Sequence, residues 1–81
     1  MTTENLLERI SVNSDVMVGK PTIRRLRITV EQILAALANG VTTQELLEDY
    51  PELEPEDIQA VLLYVAELVR EEQVFKVSAI A

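Results

Sequence analysis

The chain contains no cysteine and no histidine. Their absence removes disulfides, thiolate and imidazole metal ligation, and any mechanism built on a cysteine or histidine nucleophile or base. A chain without cysteine also fits a reducing compartment, and the cytoplasm is the expected location. Positive charge is scarce: seven Lys and Arg stand against 14 Asp and Glu, a net charge of −7. Such a chain repels nucleic acid and anionic membrane on average. No apolar run approaches the ~18 residues of a membrane span, so no membrane partner is expected. The N-terminus, MTTENLLERI, lacks both the basic and the apolar region of a signal peptide. There is no internal repeat and no low-complexity segment.

What is present is 81 residues, 48% of them apolar. That is one domain, residues 1–81, too apolar for disorder throughout. A chain of this size buries roughly 60–65% of its unfolded surface and gains from a partner. Residues 1–7 are expected to be flexible or a short helical start. Glu8 to Val12 alternates polar and apolar, a half-buried strand. Asn13-Ser14-Asp15 predicts a turn, Val16 to Val18 a brief extended piece, and Gly19-Lys20-Pro21 a second break. Ile23 to Ile28 alternates again and has β-branched residues at both ends, which predicts a second strand.

Three helices follow. Thr29 with Gln32 has capping-box spacing, Val30, Ile33, Leu34 and Leu37 form an apolar stripe, and Gly40 is a natural left-handed terminator. Thr42 with Glu45 starts a second helix that Pro51 stops. Pro55, with Glu56 and Asp57 in the first turn, starts a third that runs to about residue 71 or 72. Its core face by spacing is Ile58, Val61, Leu62, Val65, Leu68 and Val69, with Ala60, Leu63 and Tyr64 on a second face beside it. A helix apolar on two sides needs cover on two sides. The fold class is therefore α+β and mainly helical: short strands within 8–28, a helix-turn-helix-like bundle over 29–72, and a tail over 73–81. Leu63, Tyr64, Val74, Phe75 and Val77 are the candidate oligomer contact, and a homodimer is the expected state.

The charge segregates. Residues 20–27 hold Lys20, Arg24, Arg25 and Arg27 and no acid; residues 44–57 hold seven acids and no base. The four cations form a candidate basic binding edge. In a two-fold dimer, paired basic strands of this kind are able to enter a DNA groove. The third helix is poorly suited to that task, because it opens on Glu56 and Asp57 and phosphate contacts need Lys or Arg. Glu45, Glu48, Asp49 and Glu52 share a helical face but lack a calcium-loop spacing, so a solvated acidic face is expected and no metal. No catalytic group stands out, and neither enzyme activity nor a cofactor is expected.

Several residues together carry a resemblance. Arg9-Ile10-Ser11-Val12, Val18-Gly19-Lys20-Pro21, Ile23-Arg24, Arg27-Ile28-Thr29-Val30, Gly40, Tyr50-Pro51, Asp57-Ile58 and Tyr64 resemble the family of domains of unknown function numbered 433, over about residues 8–70. The resemblance implies a small α+β protein with a helix-turn-helix-like bundle, of a kind regarded as antitoxins that neutralise ribonucleases of the PIN type. The sequence departs from that family at Arg25 and Leu26, where the family carries Gly-Thr; glycine supports backbone shapes that Arg25 reaches only at a cost. The leading expectation is a non-catalytic interaction protein, an antitoxin that binds a PIN-type nuclease, with the run from Glu45 to Asp57 mimicking phosphate charge. The alternatives are a DNA-binding regulator using paired basic strands and a structural subunit of a larger assembly.

Overall fold

Each main helix begins where a side chain closes back onto its own first turn. In the computed structural model, which describes residues 3–13, 15 and 17–71, the order is α1 (Thr3–Leu7), β1 (Ile10–Val12), a 3-10 turn (Met17–Gly19), β2 (Pro21–Ile23), α2 (Val30–Ala38), α3 (Thr43–Asp49) and α4 (Pro55–Glu71). At α2 the Thr29 hydroxyl accepts from the Gln32 N–H (3.0 Å) while the Gln32 side chain accepts from the Thr29 N–H (2.8 Å). Thr42 and Glu45 repeat the arrangement at α3, at 3.1 and 2.8 Å. Both are the capping boxes their spacing predicts. Past the end of α2, Gly40 takes φ +90°, the Gly40 N–H donates to the Leu37 carbonyl and the Val41 N–H to the Ala36 carbonyl. That pair of bonds is a Schellman stop, which needs a left-handed residue at Gly40.

β1 and β2 pair antiparallel, with Ile10 opposite Ile23 and Val12 opposite Pro21. Two strands alone are unstable in water, and these lie on the helices. Ile23 joins Ile28, Val30, Ile33, Leu46, Leu53, Ile58 and Val61 in one buried cluster.

The second strand stops at Ile23 and does not continue to Ile28. The chain doubles back there: the Leu26 N–H donates to the Ile23 carbonyl (2.7 Å), the Ile23 N–H donates to the Ile28 carbonyl (3.0 Å), and Thr29 bridges Thr22. Ile23 and Ile28 are both buried because the turn sets them side by side, not because they share a straight strand. Arg24 and Arg25, at its centre, have φ of +47° and +67°. Positive φ at both central residues is the signature of a type I′ turn, which ordinarily takes Asn, Asp or Gly. The expectation that Arg25 stands where glycine is favoured agrees with this geometry. Val18, expected to be extended, instead lies within the 3-10 turn with φ +57°.

Burial along α4 fades toward its end. Ile58, Ala60 and Val61 are buried and Tyr64 and Val65 pack on the core, but Leu62, Leu68 and Val69, placed by spacing on the core face, are 50, 45 and 59% exposed. Cover thins past Val65, where Ala66, Leu68, Val69 and Arg70 are exposed.

Candidate functional site

Two features stand out on this scaffold: a charged clamp beneath the turn, and an apolar groove beside α2 and α4. The clamp centres on Asp57, whose side chain is wholly buried. Its position, the third residue of α4, lets one oxygen accept from the Glu54 N–H at 2.8 Å and close the helix start. The same oxygen accepts from Arg24 Nη2 at 2.8 Å. The other oxygen accepts from Arg24 Nε and Arg9 Nη1, each at 2.9 Å. Two bonds per oxygen use all the acceptor capacity of a carboxylate. Arg24 also donates to the Glu52 carbonyl at 2.7 Å, and Arg9 to the Glu54 carboxylate at 2.8 Å. The clamp thus joins the residue before β1, the type I′ turn and the start of α4.

Burial alone pushes the Asp57 carboxyl up. The bonds from Arg24, the Glu54 N–H and Arg9, with the charge of Arg24, outweigh it and hold the group below the usual carboxylate range. Arg9 is held more firmly protonated by its bonds to Glu54 and Asp57, and Arg24 by its bond to Asp57. A carboxylate whose lone pairs are all taken has none left for a substrate proton, so the chemistry of the clamp is structural.

The expected basic edge is divided by this arrangement. Arg24 turns inward to Asp57 and leaves the edge. Lys20 is exposed and pairs with Glu31 at 3.0 Å. Arg25 and Arg27 are exposed and form no ion pair with a described residue. The acidic run is divided as well: Asp57 and Glu54 belong to the clamp and Glu45 to a cap, while Glu48, Asp49 and Glu52 remain exposed. Among the described residues no group of three or more acids converges as a metal site would require.

The groove has a volume of about 570 Å³ and is lined by Pro21, Val30, Leu34, Ala35, Ala38, Tyr64, Val65 and Leu68, with Lys20 and Glu31 as its charged members. A smaller groove of about 370 Å³ lies across Tyr64 and Leu68, against Leu7, Ile10 and Val12. Of the expected oligomer contact, Leu63 and Tyr64 are half-buried, and Tyr64 lines both grooves. Val74, Phe75 and Val77 lie outside the described residues. Sequence reasoning missed Arg9 and Asp57 as a pair, since an acid in a helix's first turn is an ordinary favourable placement. It also missed the groove, because Leu34 was counted in the α2 core stripe. No described helix is long and apolar enough to cross a membrane.

A family model described as "Protein of unknown function (DUF433)" matches residues 10–65. No curated protein and no solved structure matches the chain.

Proposed function

The chain belongs to the DUF433 family, and we propose that it is a non-catalytic interaction protein that receives a partner protein along the groove between α2 and α4. The groove is the observation that carries this reading. A concave, almost wholly apolar surface of about 570 Å³ on so small a chain is the kind of feature that marks interaction sites. The partner class comes from the resemblance: a nuclease of the PIN type, with this chain as its antitoxin. Glu48, Asp49 and Glu52 support it as an exposed acidic surface for a nucleic-acid enzyme. A homodimer, with Leu62 and Val69 of α4 facing a second copy, provides the remaining cover.

Co-expression with the product of the adjacent reading frame tests the reading. A stable complex is expected, lost when the exposed groove residue Ala35 becomes Arg. Separate elution, with the neighbouring nuclease still active in the presence of this chain, would refute it. Arg25 and Arg27, exposed and forming no ion pair with a described residue, are what support the rival reading, DNA binding. That rival expects a gel shift at low salt that weakens steeply as salt rises and is lost in Arg27→Ala.

A further inference from the structure

Tyr64 and Leu68 line both the larger groove, against α2, and the smaller one, against Leu7, Ile10 and Val12. This part of α4 is therefore a ridge with a hollow on each side. Leu68 forms its crest and is 45% exposed. From Tyr64 to Glu71 the helix runs about 12 Å, and α2, which walls the larger groove from Val30 to Ala38, runs about 13.5 Å. Ridge and groove are thus matched in length. Ala35 and Ala38 keep the α2 wall low, and a side chain of one methyl lets another helix come close. The charges at the margins are matched within the chain: Lys20 with Glu31 at 3.0 Å, and Glu67 with Arg70 at 3.4 Å. A chain of net charge −7 meets its own copy with least repulsion over such a neutral surface. A surface that holds both a ridge and a groove to fit it satisfies a two-fold axis, where each copy gives what the other lacks.

We propose that a second copy of this chain occupies the larger groove, the end of each α4 from Tyr64 lying in the groove of the other with Leu68 against Leu34 and Ala35. The contact involves far fewer than the roughly 20–30 residues a side of a stable interface, so the pair is reversible and parts on dilution. The partner protein proposed above then competes with the second copy for one groove. That competition rests on the proposed function; the pairing does not.

Sedimentation equilibrium of the full-length protein alone tests the pairing. A monomer–dimer equilibrium is expected, with an association constant that rises several-fold between about 0.02 and 0.3 M NaCl, because salt shortens the range of repulsion between the acidic copies. Association that weakens with salt, as pairing through opposite charges would, or a monomer at every concentration, would overturn the proposal. Leu68→Glu should weaken association by roughly tenfold with a thermal melt close to wild type; unchanged association would also overturn it. The chain has no cysteine, so one introduced thiol per copy maps the contact. Copies carrying Ala35→Cys should be joined to copies carrying Leu68→Cys by a short bismaleimide linker far faster than copies carrying Gln44→Cys, a residue exposed on α3 outside the groove. Equal rates would place the contact elsewhere and sink the pairing. The product of the adjacent reading frame, added to the Ala35→Cys and Leu68→Cys mixture, should suppress the linkage. Linkage undiminished by a bound nuclease would overturn the competition. If no complex forms, the function proposed above fails and the pairing stands on the measurements made with this chain alone.

Discussion

Replacing Asp57 by Asn keeps the shape of the side chain and removes its charge. The carboxylate accepts four hydrogen bonds, from Arg9, Arg24 twice, and the Glu54 N–H. An amide offers one oxygen, and its NH2 group must face donors that it cannot bond. Breaking a buried ion pair by removing one partner costs about 3–5 kcal/mol. The lower end applies here, because the Arg24 and Arg9 side chains keep 33 and 18% of their surface in water and are partly screened. A domain of this length holds about 4–12 kcal/mol in total, at ~0.05–0.15 kcal/mol per residue. A loss of about 3 kcal/mol lowers Tm by roughly 12–24 °C, at ~4–8 °C per kcal/mol. Thermal melts followed by far-UV circular dichroism, with urea titrations beside them, measure it. Because the Asp57 carboxyl is held low in the folded state, its contribution is complete above the unfolded value of about 3.9 and fades as pH falls through the folded one. The difference between wild type and Asp57→Asn should therefore stay constant from neutral pH down to about 4 and shrink below it. A Tm within about 3 °C of wild type, or a difference that grows in acid, would refute the role given to the clamp.

Arg24→Ala should be more damaging than Arg9→Ala by about 1 kcal/mol in urea titrations, since Arg24 bonds both Asp57 oxygens and the Glu52 carbonyl while one of Arg9's two bonds goes to exposed Glu54; equal midpoints would contradict this. Arg25→Gly relieves a left-handed backbone that costs about 1–2 kcal/mol and adds about 0.5–1 kcal/mol of chain entropy, so Tm should rise by a few degrees. A fall would mean that the Arg25 side chain holds something in place. Thr29→Ala and Thr42→Ala should each lose about 1 kcal/mol, with Thr29→Ala the worse because Thr29 is buried and Thr42 exposed; chemical denaturation ranks them. Lys20→Ala should shift stability by less than about 0.5 kcal/mol, as its pair with Glu31 is exposed on both sides.

The helical part of the fold was legible because its signals are local. Thr29 and Gln32, Thr42 and Glu45, and the Asn39-Gly40 stop each act within one turn of chain, and short spacing is what a sequence displays. The Arg24-Arg25 turn was not legible. Neither residue favours a left-handed backbone, and the β-branched residues on either side imitate one continuous strand. Asp57 was visible only as a helix-starting acid. Its partners stand 33 and 48 residues away, a separation that no pattern along the chain encodes. The exposure of Leu62, Leu68 and Val69 was hidden for a related reason: helical spacing gives the face a residue occupies, not whether another element extends far enough to cover it. Of the four cations grouped along the chain, Arg25 and Arg27 lie exposed, while Arg24 is claimed by an acid that only folding brings near.

A single carboxylate fastens the start of α4 to both ends of the Arg9–Arg24 segment, so these parts have no way to loosen one at a time. Backbone amides near Arg24 and in the first turns of α4 should trade hydrogen for deuterium only when the whole domain opens. The closing turns of α4, beyond that fastening, should trade theirs far sooner. One helix would then carry two lifetimes, with the change between them falling near Tyr64.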